Sequence, residues 1–113
     1  MGKYQVIIKA TAENDLSKHK ISGDVASIKK ILKILNELKD HPYTGIGKPE
    51  ELKYELRGFW SRRINKKDRL IYQVQEDIVT VFVVSAMGHY SWFKKIKSIE
   101  ADKMKDFVIF KPC

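Results

Sequence analysis

A group of acidic, basic and aromatic side chains in the second half of the chain could carry out acid–base chemistry on RNA. Its members are Glu50, Lys53, Arg62, Arg63, Arg69, His89 and Tyr90. RNA is cut without a metal when a base removes the proton of a ribose 2′-OH, the oxygen attacks the adjacent phosphate, and an acid protonates the departing 5′-oxygen. Glutamate suits the base and histidine suits the acid, so Glu50 and His89 are the candidates.

The basic residues of this group would act on the phosphate. Arginine binds a phosphate through two parallel hydrogen bonds, lysine acts as a point charge, and both stabilise negative charge in the transition state. Tyr90 could donate a hydrogen bond or stack on a base. We assign the catalytic set as Glu50, Arg69, His89 and Tyr90. We assign the phosphate-binding set as Lys48, Lys53, Arg62 and Arg63.

Each of these residues also has an ordinary structural interpretation. Glu50 beside Glu51 is typical of solvated loop charge. The arginines could form cross-strand pairs with Glu55 or Asp68. Lysine, histidine and tyrosine are common at surfaces, strand ends and packing positions. Spacing alone therefore leaves both interpretations open.

The composition fits one basic domain. The chain has 113 residues, 43% of them hydrophobic, which is enough for a single core. Its 22 Lys and Arg residues against 14 Asp and Glu residues give a net charge of +8. This excess favours a polyanionic partner, whether nucleic acid, an acidic protein or an anionic membrane surface. A solvated basic surface would explain it equally well.

Residue types and hydrophobic runs exclude several other classes. The single cysteine, Cys113, excludes a disulfide framework and a cysteine-based metal cluster. The histidines lack metal-ligand spacing and no glycine-rich phosphate loop follows a strand, so we expect no cofactor. The N-terminus has no signal-peptide pattern and no window reaches the ~18 apolar residues of a membrane span, so we expect a cytoplasmic protein.

Two helices are predicted in the first third of the chain. Residues 11–22 predict a helix with Thr11 as N-cap and Gly23 as C-cap. Residues 24–39 predict a second helix that begins at Asp24, because apolar side chains recur there every three or four residues. These apolar side chains are Ile28, Ile31, Leu32, Leu35 and Leu38.

The remaining elements are strands around a loop rich in glycine and proline. Strands are predicted at residues 4–10, 60–64, 69–75 and 78–87. Glu76 and Asp77 form a tight connection, so the last two strands should pair as an antiparallel hairpin. The order predicts an α+β fold in which two N-terminal helices pack on one face of a twisted antiparallel β-sheet. The other face is then available for function.

Period-two alternation indicates which charges share a face of that sheet. Arg62 falls on the same face as Trp60 and Ile64, whereas Arg63 falls on the opposite face. Pairing of this strand with the next would bring Arg63 and Arg69 together on the face that does not look like core.

The string "GKPEELKYELRGFWSRRINKKDRLIYQV", followed by "GHY", resembles the Txe/YoeB family of bacterial toxins within the RelE-like superfamily. The resemblance covers residues 4–90. It implies a RelE-like fold and a toxin that enters the ribosomal A site and cleaves mRNA at the bound codon. It also implies neutralisation by an antitoxin of the YefM type, and a homodimer.

By position, the resemblance makes Glu50 the general base and His89 the general acid. It assigns Arg63 and Arg69 to the phosphate. Lys53 matches the lysine of the family's "LK" motif, and Tyr90 matches the tyrosine of its "HY" pair. Two alternatives stay open: a non-catalytic basic module that blocks the ribosome or only binds an acidic antitoxin, and a nuclease that cuts free RNA.

Residues 91–113 extend beyond the "HY" pair, where chains of this family typically stop. We therefore divide the chain into a toxin domain, residues 1–90, and a C-terminal extension of uncertain role, residues 91–113. The extension could project without effect, which we favour, or dock near the site, or be non-native. Within it, residues 98–106 predict a short helix and residues 107–110 a short apolar strand that should seek a sheet edge or a dimer partner.

Overall fold

The computed structural model describes residues 3–88 and 106–110. The elements in chain order are β1 (Gln5–Lys9), α1 (Ala10–Ser22), α2 (Val25–Leu38), β2 (Glu50–Glu51), β3 (Phe59–Arg63), β4 (Arg69–Gln75), β5 (Thr80–Ser85) and β6 (Asp106–Phe110). Single 3-10 turns lie at Tyr54–Leu56 and Glu76–Ile78. The predicted α+β architecture is confirmed.

The strands form one sheet in the order β2-β3-β4-β5-β1-β6. The meander from β2 to β5 is antiparallel, as predicted, and β6 is antiparallel to β1. The pairing of β1 with β5 is parallel, which the sequence did not indicate. Parallel neighbours need a crossover connection, and here the two helices begin that connection by carrying the chain away from β1.

The residues at the helix ends explain where the two helices begin and end. Thr11 is not the N-cap of α1, because β1 runs directly into the helix through the extended backbone of Lys9. The Thr11 hydroxyl instead donates a hydrogen bond to the Val84 carbonyl at 2.6 Å. Gly23 ends α1 in the left-handed conformation and Asp24 accepts a hydrogen bond from the Ser27 N–H, as predicted.

α2 packs one face against the sheet. Its buried apolar side chains are Ile31, Ile34, Leu35 and Leu38. They join Val6, Ile8, Leu70, Tyr72, Val81 and Val83 in the main core. Burial of each such aliphatic side chain contributes roughly 1.5–3 kcal/mol before entropy is counted. The prediction for Leu32 is wrong, since it is 52% exposed and Ile34 occupies the core instead.

The C-terminal strand lies at the edge of the sheet. β6 pairs with β1 in a register that places Phe110 opposite Val6 and Val108 opposite Ile8. The predicted strand is therefore confirmed, one residue longer, and the expectation that the extension projects from the domain is wrong for residues 106–110. The helix predicted at residues 98–106 lies outside the described residues, apart from its last position, which begins β6. Across residues 3–88 and 106–110, no helix is long and apolar enough to cross a membrane.

Candidate functional site

The sheet has an open face, which we define as the face of β2, β3 and β4 opposite α1 and α2. Trp60 and Arg62 of β3 lie opposite Tyr72 and Leu70 of β4, and this face of the pair belongs to the helix-covered core. The alternate β3 side chains therefore lie on the open face. They are Phe59, Ser61 and Arg63, whose β4 partners are Gln73, Ile71 and Arg69.

Two arginines face each other on the open face. Arg63 of β3 is directly opposite Arg69 of β4, so their side chains project together, with Arg63 exposed and Arg69 half-buried. No carboxylate among the described side chains forms an ion pair with either residue. Like charges at directly opposed positions destabilise a sheet, so the arrangement indicates a binding site for an anion.

Glu50 is brought to the same face by the short strand β2. It lies opposite Ser61, two residues before Arg63, and is exposed. Diagonal neighbours of this kind have Cα atoms about 7–8 Å apart, within reach of one phosphate between them. The predicted base and two predicted cations thus share one surface.

Ser61 is a further candidate for this site, and the sequence analysis did not select it. Its side chain is buried between the positions of Glu50 and Ile71, and its hydroxyl has no hydrogen-bond partner among the described residues. A buried hydroxyl without a partner costs free energy. The sequence could have indicated it, because Ser61 is two residues before Arg63 and alternation along a strand places both side chains on the same face.

The structure removes Arg62 from the phosphate-binding set. Its side chain is 0% exposed, because it points into the core rather than to the open face. Its guanidinium pairs with the Glu37 carboxylate at 2.7 Å and its Nε donates to the Tyr72 hydroxyl at 3.2 Å. Its remaining hydrogen bonds go to the backbone carbonyls of His41, Thr44 and Ile46. These bonds engage all three guanidinium nitrogens, so Arg62 is a structural residue.

Residues 41–46 form a loop around this buried guanidinium, and Tyr72 also holds the loop. The Tyr72 hydroxyl donates to the Pro42 carbonyl at 2.6 Å. Burial raises the pKa of Tyr72, and the neighbouring Arg62 partly opposes that shift. The Glu37 carboxylate also accepts the Ile46 N–H at 3.0 Å. The loop conformation is therefore set by side chains from α2, β3 and β4.

The last residues of the loop lead into β2, which lies beside β3. The Gly47 carbonyl accepts the Arg63 N–H at 2.7 Å, and a Cβ at Gly47 would lie 2.9 Å from the Arg63 carbonyl oxygen. Only glycine permits so close an approach. Lys48 follows in the left-handed conformation, exposed, and Glu50 begins β2. Glu50 thus reaches the open face beside Arg63, and Lys48 is an exposed residue two positions before it.

A second set of contacts ties the loop to the turn between β4 and β5. The Glu76 carboxylate accepts hydrogen bonds from the hydroxyls of Tyr43 and Tyr4, and the Tyr43 ring lies 5.0 Å from that of Trp60. The hydrogen bond from Tyr43, and to a lesser extent the one from Tyr4, lowers the pKa of Glu76. Burial is the main cause that raises the pKa of Tyr43, and the hydrogen bond to Glu76 adds to it.

Of the three remaining predicted residues, the structure describes Lys53 alone. Lys53 is exposed just before the turn at Tyr54–Leu56, beside a small cluster in which Leu52 and Leu56 pack on Phe59, Ile71 and Val84. His89 and Tyr90 lie outside the described residues. Among those described, no group of three or more metal-ligating side chains is arranged to hold a metal.

Comparison with known proteins agrees with this fold. A family model described as a YoeB-like toxin of a bacterial type II toxin-antitoxin system matches residues 10–90. "Toxin YoeB" of Mycobacterium bovis is 40% identical over 70 residues, which cover 62% of this chain and 80% of that toxin.

Two solved structures from Staphylococcus aureus are also similar. The YoeB dimer has a TM-score of 0.66 and 32% identity, covering 78% of this chain and 99% of its own. The heterotetrameric YoeB-YefM toxin-antitoxin complex has a TM-score of 0.64 and 33% identity, covering 77% of this chain and 98% of its own.

The fold and the family match together define a toxin of the bacterial type II toxin–antitoxin class. Within that class, the chain belongs to the YoeB-like toxin family. The family match ends at residue 90, so β6 lies beyond it.

Proposed function

We propose that this protein is a ribosome-dependent endoribonuclease that cleaves mRNA in the ribosomal A site and so inhibits translation. The observation that carries the proposal is the pair of arginines on the open face, Arg63 opposite Arg69, beside Glu50. A base that deprotonates the 2′-OH adjacent to a phosphate diester and cations that stabilise the charge on the phosphate both accelerate cleavage of that diester. Family membership supports the substrate and the ribosome as its setting.

The proposed reaction is a transesterification. Glu50 removes the proton of the 2′-OH, the 2′-oxygen forms a bond to phosphorus, and the bond to the 5′-oxygen breaks. His89 gives its proton to that 5′-oxygen, which leaves a 2′,3′-cyclic phosphate and a 5′-hydroxyl. Arg63 and Arg69 hold the non-bridging oxygens through paired hydrogen bonds. The roles of His89 and of Tyr90, which would stack on a base or donate a hydrogen bond, rest on the sequence motif.

Lys48 and Lys53 would supply additional positive charge at the rim of the open face. Both are exposed and lie on the segments that flank Glu50. Lysine contributes to such a site as a point charge that attracts the RNA backbone. Their effect should therefore appear mainly in binding and in its dependence on salt.

The partners follow from the charge of the open face and from the similar structures. We propose that an acidic antitoxin of the YefM type covers this face, as a YefM chain accompanies YoeB in the similar complex. We also propose a homodimer, since a similar YoeB structure is a dimer. The cytoplasm, where ribosomes translate mRNA, is the proposed location.

Mapping of mRNA 5′ ends in an in-vitro translation reaction tests the proposal. The wild-type protein should produce new ends at A-site codons, and the double variant Glu50→Ala/His89→Ala should produce none. Translation arrest without new ends in both proteins would instead identify a non-catalytic ribosome blocker. Equal cutting of naked RNA would show that the ribosome is not required.

A further inference from the structure

The hydroxyl of Ser61 differs from the other buried polar groups of this protein. Ser61 is 1% exposed, and its Oγ is the one buried side-chain nitrogen or oxygen without a hydrogen-bond partner in the part of the chain that the structure describes. The buried hydroxyl of Thr80 in β5, by contrast, donates to the Ile78 carbonyl at 2.8 Å. Ser61 is therefore an exception that needs an explanation.

An unpaired hydroxyl in the interior destabilises the folded protein. The group has lost its hydrogen bonds to water and has gained none in return, so alanine at the same position would favour stability. Natural sequences depart from the most stable choice chiefly where function requires it. The neighbours of Ser61 indicate what that function is.

The side chains around Ser61 include one directly opposed acceptor, the Glu50 carboxylate. Glu50 of β2 lies opposite Ser61 on one side, and Ile71 of β4 lies opposite it on the other. The same-face neighbours along β3 are Phe59 and Arg63. The side chains of Ile71 and Phe59 have no polar atom, and an arginine only donates. Cβ atoms of directly opposed residues lie about 4.5–5.5 Å apart, so the Glu50 carboxylate can reach the Ser61 hydroxyl.

A second acceptor, the amide oxygen of Gln73, lies on the diagonal, since Gln73 is opposite Phe59. This oxygen lies 3.4 Å from the Gln75 Nε2, which is further along β4 and away from Ser61. Glu50 is directly opposed and charged, and a charged acceptor forms the stronger hydrogen bond. Glu50 is therefore the partner that the geometry favours.

The exposure of Glu50 explains why this bond is absent from the free protein. Glu50 is exposed, so water can satisfy its carboxylate. RNA that lies on the open face would displace this water, and a carboxylate that loses water needs a donor from the protein. The Ser61 hydroxyl is such a donor, buried beside Glu50 and without another partner.

We propose that Ser61 is a positioning residue that donates a hydrogen bond to one oxygen of the Glu50 carboxylate when RNA covers the open face. A carboxylate has two oxygens, so one can accept from Ser61 while the other removes the proton of the 2′-OH. The bond holds that second oxygen toward the 2′-OH. This inference rests on the proposed function, in which Glu50 is the general base.

A double-mutant cycle tests whether Ser61 acts through Glu50. Single-turnover cleavage of mRNA on ribosomes would be measured at saturating toxin for wild type, Ser61→Ala, Glu50→Gln and the double variant. Ser61→Ala should slow the wild-type reaction about 10- to 100-fold, because a misplaced base loses much of its effect. In the Glu50→Gln background the same change should alter the rate by less than about threefold, because no base remains to be positioned.

Two further readouts separate positioning from a structural role. The toxin concentration that gives half the maximal rate should be the same for Ser61→Ala and wild type, because the cations that bind RNA are unchanged. The Tm of free Ser61→Ala should equal or exceed that of wild type, because an unpaired buried hydroxyl is removed. Thr80→Val is the matched control. It removes a bonded hydroxyl of the same sheet, so it should lower the Tm and leave cleavage at the wild-type rate.

The outcomes distinguish a failure of this inference from a failure of the proposed function. No cleavage by wild type, or a wild-type rate for Glu50→Gln, would overturn the proposed function or its base. With those two results as expected, a wild-type rate for Ser61→Ala would overturn the positioning role alone. Equal slowing by Ser61→Ala in both backgrounds would also overturn it, because the hydroxyl would then act without Glu50. A lowered Tm for Ser61→Ala would overturn it too, by showing that the hydroxyl already has a partner in the free protein.

Discussion

At the scale of single residues, Arg62 and Arg63 show how one position in a strand changes the role of a side chain. Arg62 lies on the core face, buried and bonded to Glu37 and to the loop, whereas Arg63 lies exposed on the open face. The alternation in the sequence already placed the two arginines on opposite faces. Residue type alone had put both in the phosphate-binding set, and the structure shows that the alternation was the better guide.

Substitution by methionine should separate the two roles. Arg62→Met should lower the free energy of unfolding by about 3 kcal/mol, because Glu37 and the loop carbonyls lose their donor. Arg63→Met should change it by less than about 0.5 kcal/mol, yet lower the cleavage rate roughly 100-fold. Urea unfolding and single-turnover cleavage measure these effects. Equal stability losses in the two variants would contradict the assignment.

The pH dependence of stability should report on Glu76. Hydrogen bonds from Tyr43 and Tyr4 lower its pKa below its ordinary value of 4.5. A carboxylate with a lowered pKa stabilises the folded state above its unfolded pKa, and this stabilisation is lost as pH falls through the folded pKa. The difference in Tm between wild type and Glu76→Gln should thus be present near neutral pH and shrink below pH 4.5.

Asp77→Asn is the control for this measurement, because Asp77 is a neighbouring exposed carboxylate. Its Tm difference from wild type should stay small and change little over the same range. A Glu76→Gln difference that grows as the pH falls would show that the two tyrosines do not stabilise the carboxylate.

At the scale of elements, the loop before β2 illustrates what the sequence could and could not supply. Its glycines and prolines predicted a loop correctly. Its conformation depends on contacts with Glu37, Arg62 and Tyr72, which are remote in the chain, so no local pattern could reveal it. The helix α2 is similar: the period of its apolar residues was clear, but the contact with the sheet decided that Ile34 and not Leu32 is buried.

Two glycines with similar backbones test the importance of the loop. Gly23 and Gly47 both have positive φ, 76° and 81°, but a Cβ at Gly23 meets nothing within 4 Å. Gly23→Ala should cost about 1 kcal/mol of backbone strain and leave cleavage unchanged. Gly47→Ala should cost more, since its Cβ meets the Arg63 backbone, and should also slow cleavage by displacing Glu50. Normal cleavage by Gly47→Ala would show that the loop does not position the base.

At the scale of the whole molecule, β6 extends the sheet beyond the part that matches the family. The sequence predicted an apolar strand in need of an edge, and the structure places it on β1. Sequence could not choose between that edge and a dimer partner, because pairing of remote strands is set by the assembled sheet. We propose residues 1–90 as the toxin domain and residues 91–113 as an extension that contributes this strand.

Deletion of residues 91–113 tests that division. The truncated protein loses β6, so the edge of β1 becomes unpaired and available to other chains. We expect a lower Tm and stronger self-association, measured by thermal unfolding and sedimentation. Cleavage per folded molecule should stay near that of the full chain. A large gain in cleavage or in ribosome affinity would show that the extension blocks the site.

The most direct test of the whole account compares two adjacent glutamates. Glu50 and Glu51 are both exposed residues of β2, but Glu50 lies opposite Ser61 on the open face and Glu51 lies opposite Trp60 on the other. Single-turnover cleavage of mRNA in the A site would be measured for Glu50→Gln and Glu51→Gln. The account predicts a loss of about 100-fold or more for Glu50→Gln, as for removal of a general base, and a near-normal rate for Glu51→Gln. Similar rates in the two variants would contradict it.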